Sequence, residues 1–269
     1  MKIGFIGDIV GKPGRLGVKR HLKRLKSQYE LDFVIGNYEN ASHGFGLSEK
    51  NCKELLSYGI DMMSGGNHSF DKKEIVNMFD KYPLIRPINY PRDSVGEGLY
   101  TTEVDGKRLA VINIMGHYTM PLVDNPFTMI VDEVAKLKEQ GFNHIVIDIH
   151  AEASAEKNAM LHIVGEDVSA ILGTHTHVAT DDLQIQNGCC YVSDVGLSGC
   201  IDGVIGMKKE IPISRFLQGF SKHHDIDDRC KSIFQMIIFE LNDDGRCVDA
   251  FRVKSIDNAP YILTPMFRV

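Results

Sequence analysis

The sequence predicts an α/β protein in which two sheets pack together and helices cover their outer faces. Short apolar runs rich in β-branched residues alternate with amphipathic helical patterns through the first 80 residues, and the C-terminal part is rich in strand patterns. The chain has 269 residues, 43% hydrophobic and 25% charged, which is typical of an ordinary globular protein. Because no linker, repeat or low-complexity segment interrupts the pattern, we expect a single domain over residues 1–269.

The first 80 residues follow the order β-α-β-α-β, which predicts parallel strands joined by right-handed crossovers. Ser48 is the expected N-cap of the second helix, which buries Cys52, Leu55 and Leu56. The elements expected here are strands at 2–7, 32–37 and 60–64 and helices at about 14–29, after Ser48, and at about 71–81.

The strongest hairpin signal lies at 99–104 and 107–114, which are separated by Asp105-Gly106. Asn125-Pro126 then predicts the start of a helix that ends at Gly141. The later elements expected are strands at 144–149, 168–172, 191–195, 232–241 and 247–253 and a helix at about 154–163. In all, about ten strands and five helices are expected.

The net charge, the apolar runs and the cysteine spacing limit the classes of protein to which the chain can belong. A net charge of −6 argues against a stable complex with long nucleic acids, which need a broad basic surface. No apolar run is long enough to span a membrane, and Asp8 interrupts the N-terminal one too early for a signal peptide, so a cytoplasmic protein is expected. No C-x-x-C pair occurs, so all the cysteines are expected to be free thiols in a reducing compartment. They are Cys52, Cys189, Cys190, Cys200, Cys230 and Cys247.

Five predicted strands are each followed by residues that can bind a metal or move a proton. In open α/β sheets, ligand sites gather outside the carboxyl ends of the strands, so these five loops should converge. Each signal is weak or moderate alone, since an Asp after a strand commonly caps the next helix, but five in this order favour a site. The residues are Asp8, Glu39-Asn40, Asn67-His68, His150, and His175 with His177.

Seven of these side chains form a candidate shell for two metal ions. Two carboxylates, two amide oxygens and three imidazoles, without a thiolate, suit iron or manganese, with zinc as a third possibility. The residual positive charge of two ions would attract a phosphate ester, and a hydroxide bridging the ions would attack phosphorus. His68, beside Asn67, would then protonate the leaving oxygen. The shell consists of Asp8, Glu39, Asn40, Asn67, His150, His175 and His177.

In this order, the motifs resemble those of the calcineurin-like metallophosphoesterases, and most closely their YmdB-like branch. The wider superfamily usually has Asp-x-His as its first motif, whereas Val10 stands at the third position here, and Glu39 replaces its bridging Asp. Asn40 would take the place of the missing histidine, as in the YmdB-like branch. The longer matching segments are 5–15, 39–47, 66–74, 148–157 and 173–178.

The resemblance implies a four-layer α/β/β/α sandwich of the metallophosphoesterase type with a di-iron or di-manganese site. It implies that Glu39 bridges the two ions and that His68 is the proton donor. It further implies a homo-oligomer that hydrolyses 2′,3′-cyclic nucleotides. The implied ligands are Asp8, Glu39, Asn40 and His177 for the first ion and Glu39, Asn67, His150 and His175 for the second.

Other residues have less certain roles. His43 could contact the substrate phosphate, although a loop histidine without a role is equally consistent with the sequence. Asp194 could orient a ligand histidine, but ordinary helix or turn capping is the more common role for such a residue. Four other histidines lie in polar contexts and are expected to be solvated; these are His21, His144, His223 and His224.

Two further readings of the same residues stay open. The metal centre would equally serve a phosphomonoesterase or an RNA nuclease, because substrate choice depends on the pocket walls. A metal-bound regulatory protein with little turnover is the alternative outside enzymes, although His68 argues against it. A Walker-type nucleotide loop is excluded, because Gly7 to Lys12 has the wrong glycine spacing and Pro13 stands where Ser or Thr is required.

Overall fold

Two sheets of seven strands each form the centre of the computed structural model, which describes residues 1–219 and 225–269. His223 and His224 lie outside the described residues. The strands are β1 (Lys2–Asp8), β2 (Phe33–Asn37), β3 (Met62–Ser64), β4 (Leu99–Val104), β5 (Lys107–Met115), β6 (His144–His150), β7 (Ala170–Thr174), β8 (Gln184–Gln186), β9 (Cys189–Val192), β10 (Gly199–Cys200), β11 (Ser232–Leu241), β12 (Cys247–Ile256), β13 (Ile262–Pro265) and β14 (Phe267–Arg268). The α-helices are α1 (Gly11–Tyr29), α2 (Glu49–Ser57), α3 (Pro126–Glu139), α4 (Ser154–Val164) and α5 (Glu210–Gln218).

The first sheet has the strand order β13-β12-β11-β1-β2-β3, with β10 paired to β11. Its strands β1, β2 and β3 are parallel, as the β-α-β-α-β pattern predicted. The second sheet has the order β14-β8-β9-β7-β6-β5-β4. Strands β5, β6, β7 and β9 are parallel within it, so each sheet has a parallel centre whose carboxyl ends can host a site.

Most of the buried apolar side chains form three layers, which confirms the four-layer sandwich. Alternation along β1 sends Ile3 and Phe5 toward the second sheet, where they join Val146 and Leu172. On the opposite face of the first sheet, the apolar side chains of α1 and α2 form a second cluster. A third cluster joins α3 and α4 to the outer face of the second sheet. The order is therefore helix, sheet, sheet, helix.

The predicted helix caps and the predicted hairpin turn are confirmed. The Ser48 side chain accepts a hydrogen bond from the Asn51 backbone N–H, and the Asn125 side chain caps α3 with Pro126 at its first turn. Asp105 and Gly106 both adopt positive φ between β4 and β5, as a two-residue hairpin turn requires.

The helix expected at 71–81 is wrong. Only the short 3₁₀ helix Lys73–Asn77 forms, and the Lys72 side chain does not cap it. The apolar spacing of Ile75 and Met78 is satisfied by a single buried turn. The chain then continues to Pro83, whose carbonyl accepts a hydrogen bond from the Met63 backbone N–H at the edge of the first sheet. This pairing requires extended backbone at Pro83 and not a helix.

Other predictions need smaller corrections. Helix α5 and the strands β8, β10, β13 and β14 were not expected from the sequence, because most are too short for a periodic pattern. The strand expected at 168–172 lies two residues later, and the one expected at 191–195 begins two residues earlier and ends three residues earlier. Within the described ranges, no helix has the length and apolar character needed to cross a membrane.

The expectation of six free cysteines is wrong for one pair, because Cys200 and Cys230 form a disulfide between β10 and the segment before β11. The other four cysteines are free and buried. Two histidines expected to be solvated are also buried. His21 packs against the Phe234 and Tyr261 rings, and His144 bonds the Asn242 carbonyl oxygen through its Nε2.

Candidate metal centre

The five loops predicted to converge do so at the carboxyl ends of the parallel strands. The first sheet contributes Asp8 at the end of β1, Glu39 and Asn40 after β2, and Asn67 after β3. The second sheet contributes His150 at the end of β6 and the pair His175 and His177 after β7. All but Asn67 and His175 are buried, so the sandwich holds these polar groups at the junction of its two sheets.

Glu39 lies at the middle of this cluster. Its carboxylate shares one compact group of ligand atoms with His150 and His175 and another with Asp8 and His177. Within each group, all the ligand atoms lie within 4.8 Å of one another. One carboxylate therefore belongs to two adjoining sites, which is the position that a bridging ligand needs.

The side-chain amides of Asn67 and Asn40 each lie beside a different one of these two groups. The Asn67 Oδ1 lies 2.9 Å from His150 Nε2, and the Asn40 Oδ1 lies 3.1 Å from His177 Nε2. With Glu39 counted in both, the seven side chains divide into two sets of four. This division has the same members as the one implied by the family resemblance.

The electrostatics of the cluster suit cations. Burial raises the pKa of Asp8 to about 6, despite the opposing effect of His177. Burial also acts to raise the pKa of Glu39, but the imidazoles around it, His150 first, outweigh burial and lower the pKa to about 2. Burial and the neighbouring His150 lower the pKa of His175 to about 3, so this imidazole is neutral and able to bind a metal.

Two further observations test whether metal ions fit here. The Glu39 Oε1 atom is buried and accepts no hydrogen bond in the described structure, which is costly unless another group satisfies it. Gly66 lies against the cluster, and a Cβ there would overlap Glu39 Oε2 and His150 Nε2. The residues therefore fit a pair of cations. The cluster contains a buried acceptor without a partner, and the glycine at position 66 leaves room beside the ligand atoms.

Hydrogen bonds behind the cluster orient two of its histidines. His150 Nδ1 lies 2.9 Å from the Thr174 hydroxyl, which donates to Asp148 at 2.7 Å. His177 Nδ1 donates to the Ile205 carbonyl oxygen at 2.7 Å, which leaves Nε2 for the cluster. Such partners fix the ring orientation of metal-binding histidines.

Two ligand candidates in the loop after β7 have strained backbones. His175 and His177 have φ values of 100° and 65°, which are unusual for residues other than glycine. The buried Asp194 carboxylate accepts hydrogen bonds from the backbone N–H and hydroxyl of Thr176, between the two histidines. Lys157, also buried, pairs with the same carboxylate at 2.9 Å. Asp194 therefore caps this turn, as the more common role predicted, and its carboxylate acts on the two histidines only through Thr176.

His68 lies beside the cluster rather than within it. Its backbone N–H donates to Glu39 Oε2 at 3.1 Å, and its Nδ1 lies 2.8 Å from the Asp71 carboxylate. The side chain is 26% exposed and contacts the Phe45 ring edge to face. An imidazole held by a carboxylate at Nδ1 presents Nε2 for proton transfer.

A cavity of about 450 Å³ opens over the cluster. His43, expected to contact a substrate phosphate, is exposed and does not belong to the described residues that line this cavity. The wall includes Phe45, Ile205, Met207 and Arg215, for which no role was predicted.

Other residues of the site were also missed in the sequence. Asp71 lies three residues after His68, and Asp148 lies two before His150 on the same strand, so their spacing offered a signal. Lys157 and Ile205 offered none, because their contacts depend on the tertiary fold.

A two-sheet sandwich with paired ligand groups at the sheet ends defines the class of metallophosphoesterase-type proteins. A family model described as YmdB-like protein matches residues 5–253, so the chain belongs to the YmdB-like family. The chain is 40% identical to the 2′,3′-cyclic-nucleotide 2′-phosphodiesterase of Bacillus subtilis (strain 168), over 91% of this chain and 98% of that protein.

Two solved structures are similar over nearly the whole chain. A hypothetical protein from Thermus thermophilus superposes with a TM-score of 0.88 at 33% identity, covering 98% of this chain and 100% of its own. A phosphatase from Mycoplasma pneumoniae superposes with a TM-score of 0.88 at 31% identity, covering 99% of this chain and 94% of its own.

Proposed function

We propose that this protein is a dinuclear metal-dependent phosphodiesterase that hydrolyses 2′,3′-cyclic nucleotides to nucleoside monophosphates. The observation that supports it best is Glu39, whose single carboxylate belongs to two adjoining ligand groups. The 2′,3′-cyclic-nucleotide 2′-phosphodiesterase at 40% identity supports the substrate class. A cavity of about 450 Å³ also falls in the range of small-molecule sites, about 300–1,000 Å³.

In this proposal, Asp8, Glu39, Asn40 and His177 hold one ion, and Glu39, Asn67, His150 and His175 hold the other. The oxygen and nitrogen donor set suits iron first, then manganese, with zinc also compatible. Two such ions, when bound, polarise phosphoryl oxygens and lower the pKa of water.

His68 is the proposed proton donor. With Nδ1 held by Asp71 at 2.8 Å, a proton on Nε2 can pass to the oxygen that leaves phosphorus. The Asp71 carboxylate fixes the orientation of the ring that donates this proton. The Glu39 carboxylate accepts the His68 backbone N–H, so the donor is fixed relative to the ligand cluster.

The test is a substrate panel with the manganese- or iron-loaded protein. Turnover of 2′,3′-cyclic AMP should exceed that of 3′,5′-cyclic AMP, p-nitrophenyl phosphate and single-stranded RNA. The Glu39→Gln variant serves as the control for contaminating hydrolases. Faster turnover of p-nitrophenyl phosphate would identify a phosphomonoesterase, faster turnover of RNA a nuclease, and no turnover at all a regulatory protein.

A further inference from the structure

Three of the residues that line the cavity over the ligand cluster are apolar. They are Phe45, Ile205 and Met207, which we name the apolar shelf. Phe45 is half-buried, Met207 is 7% exposed and packs into a small cluster with Val10 and Ile226, and Ile205 is 50% exposed. A metal centre for an anionic phosphate does not itself require such a surface, so the shelf points to a second part of the ligand.

Both sides of the shelf are fixed to the ligand cluster by hydrogen bonds. Phe45 lies in the closed 39–46 loop, in which the Asn40 side chain donates to the Gly44 carbonyl oxygen and the Phe45 N–H donates to the Ser42 carbonyl oxygen. On the other side, the Ile205 carbonyl accepts from His177 Nδ1 at 2.7 Å. Phe45 and Ile205 are therefore linked through their loops to the ligand candidates Asn40 and His177.

Ile205 is the first residue of a two-residue turn between Val204 and Met207, whose backbones exchange two hydrogen bonds. Its φ is 45°, a region that is a strong outlier for a β-branched residue. Strain of this kind concentrates at functional sites, and here it accompanies a half-exposed apolar side chain at a cavity. The hydrogen bond from His177 uses only the backbone carbonyl of Ile205, so it does not explain why the side chain is isoleucine.

From these contacts we infer that the apolar shelf binds the nucleobase of the substrate. This inference rests on the proposed function. In a 2′,3′-cyclic diester, the leaving oxygen belongs to the ribose, so the nucleoside extends from the side where the proton donor stands. Phe45 contacts His68 with ring centroids 4.9 Å apart, which puts an aromatic ring on that side. Stacking on aromatic and apolar side chains tolerates every base, which predicts weak discrimination among bases.

The experiment compares two cyclic diesters that share the five-membered phosphate ring. One is 2′,3′-cyclic AMP, and the other is glycerol 1,2-cyclic phosphate, which has no base. Ile205→Ala should lower kcat/KM for the nucleotide about 5-fold and Phe45→Ala about 10-fold, while values for the glycerol diester stay within about twofold. Ile163→Ala is the matched control, because Ile163 is a 43% exposed isoleucine on α4 away from the cavity.

Equal losses on both diesters would mean that the shelf only supports the metal loops, and no loss on either would mean that it does not contact substrate. Each result would overturn the inference. Equilibrium binding provides a readout independent of turnover. The metal-loaded protein should bind 3′-AMP about 10-fold more tightly than glycerol 2-phosphate, and Ile205→Ala should reduce this advantage. If the wild-type protein hydrolyses neither diester, the proposed function fails. Equal binding of the two monophosphates would separately contradict base binding by the apolar shelf.

Discussion

His68 is the residue whose proposed role is most separable from metal binding. It touches Glu39 only through its backbone N–H, and its side chain pairs with Asp71 rather than with the cluster. Replacing the side chain therefore leaves all seven ligand candidates in place. The imidazole can be tested without removing the ions.

We predict that His68→Ala retains two metals per chain but lowers kcat on 2′,3′-cyclic AMP by about 100-fold or more, the usual contribution of a general acid. Elemental analysis and steady-state kinetics on the same preparation check both parts. Asp71→Asn should have a smaller effect in the same direction, because it weakens the contact that orients the imidazole without removing the imidazole. Full activity in His68→Ala would assign the proton donor elsewhere.

We predict that Asp8 makes metal binding dependent on pH. In the metal-free protein, burial raises the pKa of Asp8 to about 6, so below that pH the carboxyl is mostly protonated. An ion must then displace the proton, and the apparent affinity should fall about tenfold per pH unit below pH 6 from this group alone. Above pH 6, Asp8 contributes no further change.

Metal titrations between pH 4.5 and 7.5 measure this dependence. Asp8→Asn should bind the metal more weakly at every pH. Its apparent affinity should also fall less steeply below pH 6, by a factor of about ten per pH unit. An unchanged slope in that variant would show that another group, such as His150, accounts for the competing proton.

At the scale of elements, the turn between β7 and the following chain depends on the buried pair Lys157–Asp194. The Asp194 carboxylate holds Thr176, and its backbone carbonyl accepts hydrogen bonds from Thr180 and Arg252. Helix α4 supplies Lys157, whose Nζ also donates to the Thr174 carbonyl oxygen. The loop with His175 and His177 is thus fixed from both sides of the second sheet.

We predict that Asp194→Asn lowers the free energy of unfolding by about 3 kcal/mol, because it leaves the Lys157 ammonium buried without a carboxylate. Metal affinity should fall as well, since the strained turn loses its support. Urea unfolding and metal titration measure the two effects. Asp181→Asn, at an exposed position nearby, is the matched control and should change neither. Normal metal affinity in a folded Asp194→Asn protein would contradict a positioning role.

The success of sequence-based prediction also differed between elements. The parallel strands and the hairpin at Asp105-Gly106 were predicted because alternation and turn chemistry are local signals. The segment at 71–81 was mistaken for a longer helix, because its apolar spacing equally fits one buried 3₁₀ turn. Helix α5 was missed, and with it Arg215 in the cavity wall.

For the site, the residues after each strand could be read from the sequence, and the structure gathers all seven ligand candidates. The apolar shelf could not be read in this way. Its members are ordinary apolar residues on separate loops, and only the tertiary fold brings Phe45 and Ile205 to the same cavity. The disulfide between Cys200 and Cys230 likewise has a 30-residue separation that no spacing rule would identify.

At the scale of the whole molecule, the two sheets share one centre. Four ligand candidates follow strands of the first sheet, and three follow strands of the second. Ions bound among them would connect the two halves of the sandwich through Glu39, the member common to both groups. Metal binding should therefore stabilise the whole fold and not only the loops.

We predict that removing the metal with a chelator lowers the Tm by at least about 5 °C, since a site at 100 times its Kd contributes about 2.7 kcal/mol and each kcal/mol is worth about 2–4 °C in a chain of this size. Differential scanning calorimetry with and without manganese measures this shift. Glu39→Gln loses the charge shared by both groups, so it should bind fewer than two ions and show a smaller shift. Two retained ions and an undiminished shift in that variant would show that Glu39 does not join the two sites.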